Sequence, residues 1–193
     1  MPLPEAEPSF SILTVCTGNI CRSPAAERLL ASALGPTVSV ASAGTYALVG
    51  QPMSAPMDMF VERENVFAGD FAARQLSETI IGAVDLVLAM TRQHRSAVVE
   101  MVPSVVRRAF TLREFARLLR AVDPALLPSG TAAERLKAAV PLAGAQRGRH
   151  RVNSTEDDVV DPYRRGNGAY AASFEQLLPA VQTIAGIVVV QAL

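Results

Sequence analysis

The chain has 193 residues, half of them hydrophobic, which is enough for one buried core and short for two. Its 18 basic and 18 acidic residues cancel, so no field of the whole molecule recruits nucleic acid or an anionic membrane, and any anion selectivity has to be local. The only two cysteines, Cys16 and Cys21, lie five residues apart, which argues against a disulfide-stapled secreted scaffold and fits a reducing cytoplasm.

Residues 1–9 lack both a basic region and an apolar run, so they read as a flexible lead-in rather than a targeting segment. The apolar, partly β-branched run 10–15 predicts a strand. A Gly-containing loop follows, then Ser23 and Pro24, a good N-cap and a good first helical residue, opening a helix that Gly35-Pro36 ends. Residues 38–43 predict a second strand, 53–66 a helix, and 85–90 a third strand buried on both faces. Thr91 opens a helix running through Met101; 108–112 predicts a short fourth strand and 113–121 a helix with Phe115, Leu118 and Leu119 on one stripe. Between 122 and 155 Pro and Gly loosen the pattern, although Thr131 and Glu134 cap a possible helix over 131–140, so this stretch reads as an insertion, not a domain. The apolar C-terminal stretch 177–193 is interrupted by Pro179 and two Gln residues and is short for a membrane span, so it predicts a core helix and no membrane insertion. Strands alternating with helices in one domain, 1–193, imply a parallel sheet covered on both sides.

The chemistry is concentrated in Cys16-Thr17-Gly18-Asn19-Ile20-Cys21-Arg22-Ser23-Pro24, placed between a strand and a helix N-terminus. There, successive backbone N–H groups and the helix dipole can converge on one anion, with Thr17, Gly18, Asn19, Ile20 and Cys21 forming the cradle. The same groups favour the thiolate of Cys16, which is then a nucleophile at the cradle's base. Arg22 closes the loop with a planar fork suited to two phosphate oxygens. No spacing of Cys, His and carboxylate residues suggests a metal, and no cofactor motif is present. His94 reads as a solvated helix residue, and Arg147, Arg149, His150 and Arg151 as a solvated basic face.

This string resembles the phosphate loop of the low-molecular-weight protein tyrosine phosphatases. The resemblance implies a three-layer α/β/α fold with a four-stranded parallel sheet and the phosphate loop after the first strand. It implies that Asn19 braces the loop and that the Ser23 hydroxyl supports the thiolate. Asp161-Pro162-Tyr163 resembles the family's acid loop, which would make Asp161 the general acid and then the general base, with Tyr163 as a wall for an aryl group. Asp157 and Asp158 are nearby rivals for the acid. Tyr46 falls in the segment that forms the other wall in the family, and Cys21 would be a redox partner of Cys16. The implied activity is metal-free hydrolysis of a phosphotyrosine protein or another aryl phosphate through a phosphocysteine. Two alternatives stand beside it: an arsenate reductase using an external thiol, since no cysteine follows Cys21, and a non-catalytic phosphoprotein-binding module. The segment 122–155 exceeds the family core and bears on substrate choice.

Overall fold

A computed structural model describes residues 8–153 and 155–189; residues 1–7, most of the expected lead-in, lie outside the described residues, as do 190–193 of the C-terminal stretch. Four parallel strands, β1 (Phe10–Cys16), β2 (Val38–Gly44), β3 (Leu86–Ala89) and β4 (Ala109–Thr111), form one sheet in the order β2-β1-β3-β4. Successive side chains on a strand point to opposite faces. Ile12 and Cys16 of β1 and Leu86 and Leu88 of β3 therefore join one buried cluster, while Leu13, Val15 and Val87 join the other. Both faces being covered explains why β3 is a continuous apolar run rather than an alternating one.

The larger cluster lies under α1 (Arg22–Leu34), α2 (Met57–Arg63), α5 (Leu112–Leu119), α6 (Ala132–Gln146) and α7 (Asn167–Val188). The smaller one lies under α3 (Glu78–Gly82) and α4 (Arg92–Met101). This is the expected three-layer α/β/α architecture. The C-terminal helix packs on α1 and α5, and among the described residues no helix is long and apolar enough to cross a membrane.

Three local readings differ from the sequence expectation. The helix expected over 53–66 begins only at Met57, because Pro56 pushes the preceding residue out of helical geometry. The short helix α3, capped by the Ser77 hydroxyl on the N–H of Ile80, carries too few apolar positions to show a period. The segment 122–155 contributes a full 15-residue helix, longer than the expected 131–140. Thr131 and Glu134 form its capping box, and Leu136, Ala139 and Ala143 are buried in the main core. Its end is held by Arg147, which stacks 3.9 Å over the Phe110 ring and bonds to Glu114 and the Ala109 carbonyl. Arg147 thus belongs to the packing and not to a solvated face, whereas Arg149 and Arg151 are exposed.

Candidate active site

Strand β1 is central, with β2 on one side and β3 on the other, so the loop at its carboxyl end sits where the chain direction of the sheet's winding reverses. Cys16 ends β1 and Arg22 begins α1. The loop between them is fixed through its carbonyls. Those of Cys16, Thr17 and Gly18 accept from the N–H groups of Thr45, Tyr46 and Leu48, each at 3.0 Å, and that of Ile20 accepts from Ser54 at 2.7 Å. In a trans peptide the C=O and the next residue's N–H point in opposite directions. Carbonyls held outward therefore aim the N–H groups of Thr17, Gly18, Asn19 and Cys21 inward, and none of these bonds to another group among the described residues.

Close approach of the 44–48 segment to the loop depends on Gly44. A Cβ there would land on the Thr17 carbonyl oxygen and come within 3.0 Å of the Asn19 Cβ and 3.1 Å of the Ala47 Cα. In the sequence this glycine's signal is its place at the end of a strand beside the loop.

Asn19 sits in the left-handed region at φ 54°, which Asn tolerates better than most residues, and is fully buried. Its amide orientation follows from its partners. The Arg74 backbone N–H can only donate, so the atom 2.8 Å from it is Oδ1. Nδ2 then donates to the Ser23 hydroxyl at 2.9 Å and the Ser42 hydroxyl at 2.8 Å. Ser42 in turn donates to the Glu27 carboxylate. With its oxygen accepting from Asn19, the Ser23 hydroxyl has its proton free for Cys16 Sγ, 2.8 Å away. Ser23 is therefore not the helix cap that its sequence position suggests. Cys21 is the capping position, with no side-chain cap, and the hydroxyl serves the cysteine instead.

The Arg22 side chain is 4% exposed; it pairs with Asp161 at 2.6 Å and donates to the Val159 carbonyl at 3.1 Å, leaving its buried Nε without a partner among the described residues. Asp161 is 44% exposed on its side chain, and its other oxygen accepts from the Tyr163 N–H at 3.1 Å. The rivals are committed elsewhere. Asp157 is buried between Arg117, at 2.8 Å, and Arg92, at 3.3 Å. Asp158 accepts from the Arg92 N–H at the start of α4. Together with the Val159 N–H on the Met90 carbonyl, these contacts pin the strand of chain that delivers Asp161 to the loop.

A cavity of about 120 Å³ opens over the loop. Cys16, Thr17, Gly18, Ile20, Cys21 and Arg22 line it from the loop, Tyr46 and Leu48 from one neighbouring segment, Asp161 and Tyr163 from another. Of the expected site residues only Asn19 and Ser23 stay outside the lining, as supports beneath it. Cys21 is buried; desolvation, partly offset by a contact with the Tyr170 hydroxyl at 3.9 Å, pushes its thiol up to about 11.

His94 is the residue that sequence reading misplaced. It is 7% exposed, with Nε2 2.8 Å from the Thr17 hydroxyl and Nδ1 2.9 Å from that of Thr91. Burial, and then the charge of Arg22, push it down to about 4, so at neutral pH it is an uncharged prop behind the loop. Its signal in the sequence is its place at the third position of a Thr-capped helix after the strand next to β1.

The sequence profile described as low molecular weight phosphotyrosine protein phosphatase matches residues 11–126. A protein-arginine-phosphatase from Geobacillus stearothermophilus is 39% identical over 106 residues, 55% of this chain and 71% of that one. The low molecular weight protein-tyrosine-phosphatase Etp of Escherichia coli K12 is 38% identical over 114 residues, 59% of this chain and 76% of that one. The crystal structure of the tyrosine phosphatase AmsI from Erwinia amylovora superposes with a TM-score of 0.67 at 28% identity, covering 92% of each chain.

Proposed function

The chain belongs to the low molecular weight phosphotyrosine protein phosphatase family, and from that membership and the cleft above its loop we infer that it hydrolyses aryl phosphate monoesters, phosphotyrosine in proteins above all, through a phosphocysteine on Cys16. The observation that carries this reading is the Cys16 sulfur 2.8 Å from the Ser23 hydroxyl, at the foot of a ring of inward N–H groups closed by Arg22. That arrangement suits a phosphate dianion and a thiolate in turn.

A dianion entering the loop takes the Arg22 fork through two oxygens, drawing it from Asp161. The freed carboxyl, with the dianion's charge beside it, carries a proton toward the leaving oxygen. Sγ attacks phosphorus, the P–O bond to the phenol breaks, and Asp161 protonates that oxygen. Water then attacks the phosphocysteine, gives its proton to Asp161, and the P–S bond breaks to return thiolate and release phosphate. Ser23 lowers the charge cost of the departing sulfur, and the loop N–H groups with Arg22 hold the equatorial oxygens as charge builds on them.

Ile20, Leu48, Tyr46 and Tyr163 give the cavity apolar and aromatic walls. These suit a phenyl ring better than the guanidinium of a phosphoarginine, which meets a single carboxylate, Asp161, in the lining. Two cysteine thiols, one of them the nucleophile, suit a reducing cytoplasm. The test is hydrolysis of para-nitrophenyl phosphate, a phosphotyrosine peptide and a phosphoarginine peptide in EDTA. Activity on the first two is expected to vanish in Cys16→Ser and to fall by roughly 10²- to 10⁴-fold in Asp161→Asn. No hydrolysis by the reduced wild type, or a preference for phosphoarginine, would overturn the assignment.

A further inference from the structure

The segment 122–155 adds nothing to the lining of the cleft at Cys16, but its end borders a second and larger one of about 460 Å³. Helix α4 contributes Arg92 and Arg95 to this cleft, α5 contributes Arg117, and the chain after α6 contributes Arg147 and Arg151. Five guanidinium groups face two carboxylates, Glu114 and Asp157, an excess of three positive charges in a chain whose formal charge is zero. Both carboxylates are already engaged, Glu114 with Arg147 and Asp157 with Arg92 and Arg117. Burial first, and then the charge of Arg147, opposed by that of Glu114, lower the Arg95 pKa from its ordinary value. Arg151 is exposed and makes no hydrogen bond among the described residues.

We propose that this cleft binds a small anion carrying at least two phosphoryl groups, inorganic pyrophosphate or the diphosphate end of a nucleotide. Arg95, Arg117 and Arg147 donate to carboxylates and backbone carbonyls and so add charge rather than forks. The N–H groups left unspent among the described residues are mainly those of Arg92 and Arg151, on separate segments of a cleft several times larger than the one at Cys16, and a single phosphate would satisfy only one of the two. Occupancy is coupled to the cleft at Cys16. Arg92 holds Asp157 by the longer of its two ion pairs and is the more exposed of the two arginines, so it is the one an anion draws away. Asp157 lies four residues before Asp161, and loosening it slackens the segment that positions that carboxyl. The coupling rests on Asp161 acting as the acid; the binding does not.

Calorimetry separates the two. Pyrophosphate is titrated into protein carboxymethylated at Cys16 with iodoacetate, whose carboxylate fills the loop. One saturable site is expected, weakening as NaCl is raised and weakened roughly tenfold or more by Arg151→Glu. A parallel titration with ADP distinguishes the sources, since binding with the same dependence on Arg151 extends the site to nucleotides and its failure confines the site to the inorganic anion. In the unmodified enzyme, pyrophosphate is expected to lower kcat for para-nitrophenyl phosphate, an effect lost in Arg151→Glu, which leaves activity without pyrophosphate unchanged. Absence of binding to the carboxymethylated protein, or equal affinity in Arg151→Glu, overturns the site. Binding with no change in kcat overturns the coupling alone.

Discussion

Asn19 offers the sharpest test of how the loop is built, because two substitutions at that position remove its hydrogen bonds in different ways. In Asn19→Ala three hydrogen bonds go, one from the Arg74 N–H and two to Ser23 and Ser42. At about 1 kcal/mol each, plus about 1 kcal/mol for an alanine held at positive φ, the loss is ~4 kcal/mol. For a chain of this length that lowers Tm by roughly 10 °C. Asn19→Asp keeps shape, backbone tolerance and the acceptor for Arg74, but offers Ser23 an acceptor where a donor stood. The Ser23 proton then turns to the new carboxylate and away from Cys16 Sγ, and a negative charge is set beneath that sulfur. Asn19→Asp is therefore expected to cost kcat at least as much as Asn19→Ala does, and to lower Tm as well, because it buries a carboxylate against the Ser42 oxygen. Melting by circular dichroism and kcat for para-nitrophenyl phosphate measure the two. An Asn19→Asp protein with wild-type kcat would refute the hydrogen-bond direction deduced from Arg74.

Gly44→Ala forces the 44–48 segment off the loop, with an overpacking cost of about 1–3 kcal/mol and loss of turnover; a fully active, equally stable variant would show that the approach at Thr17 does not matter. His94, pushed down to about 4 from an ordinary 6.5, binds its proton more readily when unfolded. Stability from this group is thus present above pH 6.5 and lost as pH falls toward 4, by up to about 3 kcal/mol. Urea denaturation at pH 7 and pH 5 is expected to show a larger loss in wild type than in His94→Gln, and equal losses would remove the buried neutral imidazole from the account. Cys21, pushed up to about 11, is a thiolate only about once in ten thousand at pH 7, so capture of peroxide-oxidised Cys16 as a disulfide is expected to be slow there and faster at pH 8.5. Mass spectrometry showing sulfinic Cys16 with no Cys16–Cys21 bridge at either pH would end that role.

The parts of the site that were legible in the sequence are those made by neighbours in the chain. Cys16 through Arg22 forms one turn of backbone between β1 and α1, so its residue types and spacing carry its geometry directly. The place of Asp161 in the cleft was legible from Pro162 and Tyr163 beside it. What stayed hidden depends on contacts across the fold: His94 against Thr17, Gly44 against the Thr17 carbonyl, and Asn19 reaching Ser42 and through it Glu27. Ser23 shows the limit most clearly. Local rules make it a helix cap, and the tertiary demand of the cysteine overrides them. The strands were found because β1 and β3 are buried on both faces, whereas α3 was missed because five residues cannot display a helical period.

The ion pair between Arg22 and Asp161 gives the ligand-free cleft a defined resting arrangement. One side chain is almost fully buried and the other nearly half exposed, so the arginine is the fixed partner and the carboxylate the mobile one. Phosphate competes for the fixed partner. In the mechanism proposed above, the carboxyl is released toward the leaving oxygen when a dianion takes its place on Arg22. Under that mechanism substrate binding and positioning of the acid are a single exchange of partners on one guanidinium, which Lys, lacking the fork, could not perform with both oxygens held. The anchoring of Asp157 and Asp158 limits how far Asp161 travels when it is released, and that short tether keeps the freed carboxyl over the cavity instead of in solvent.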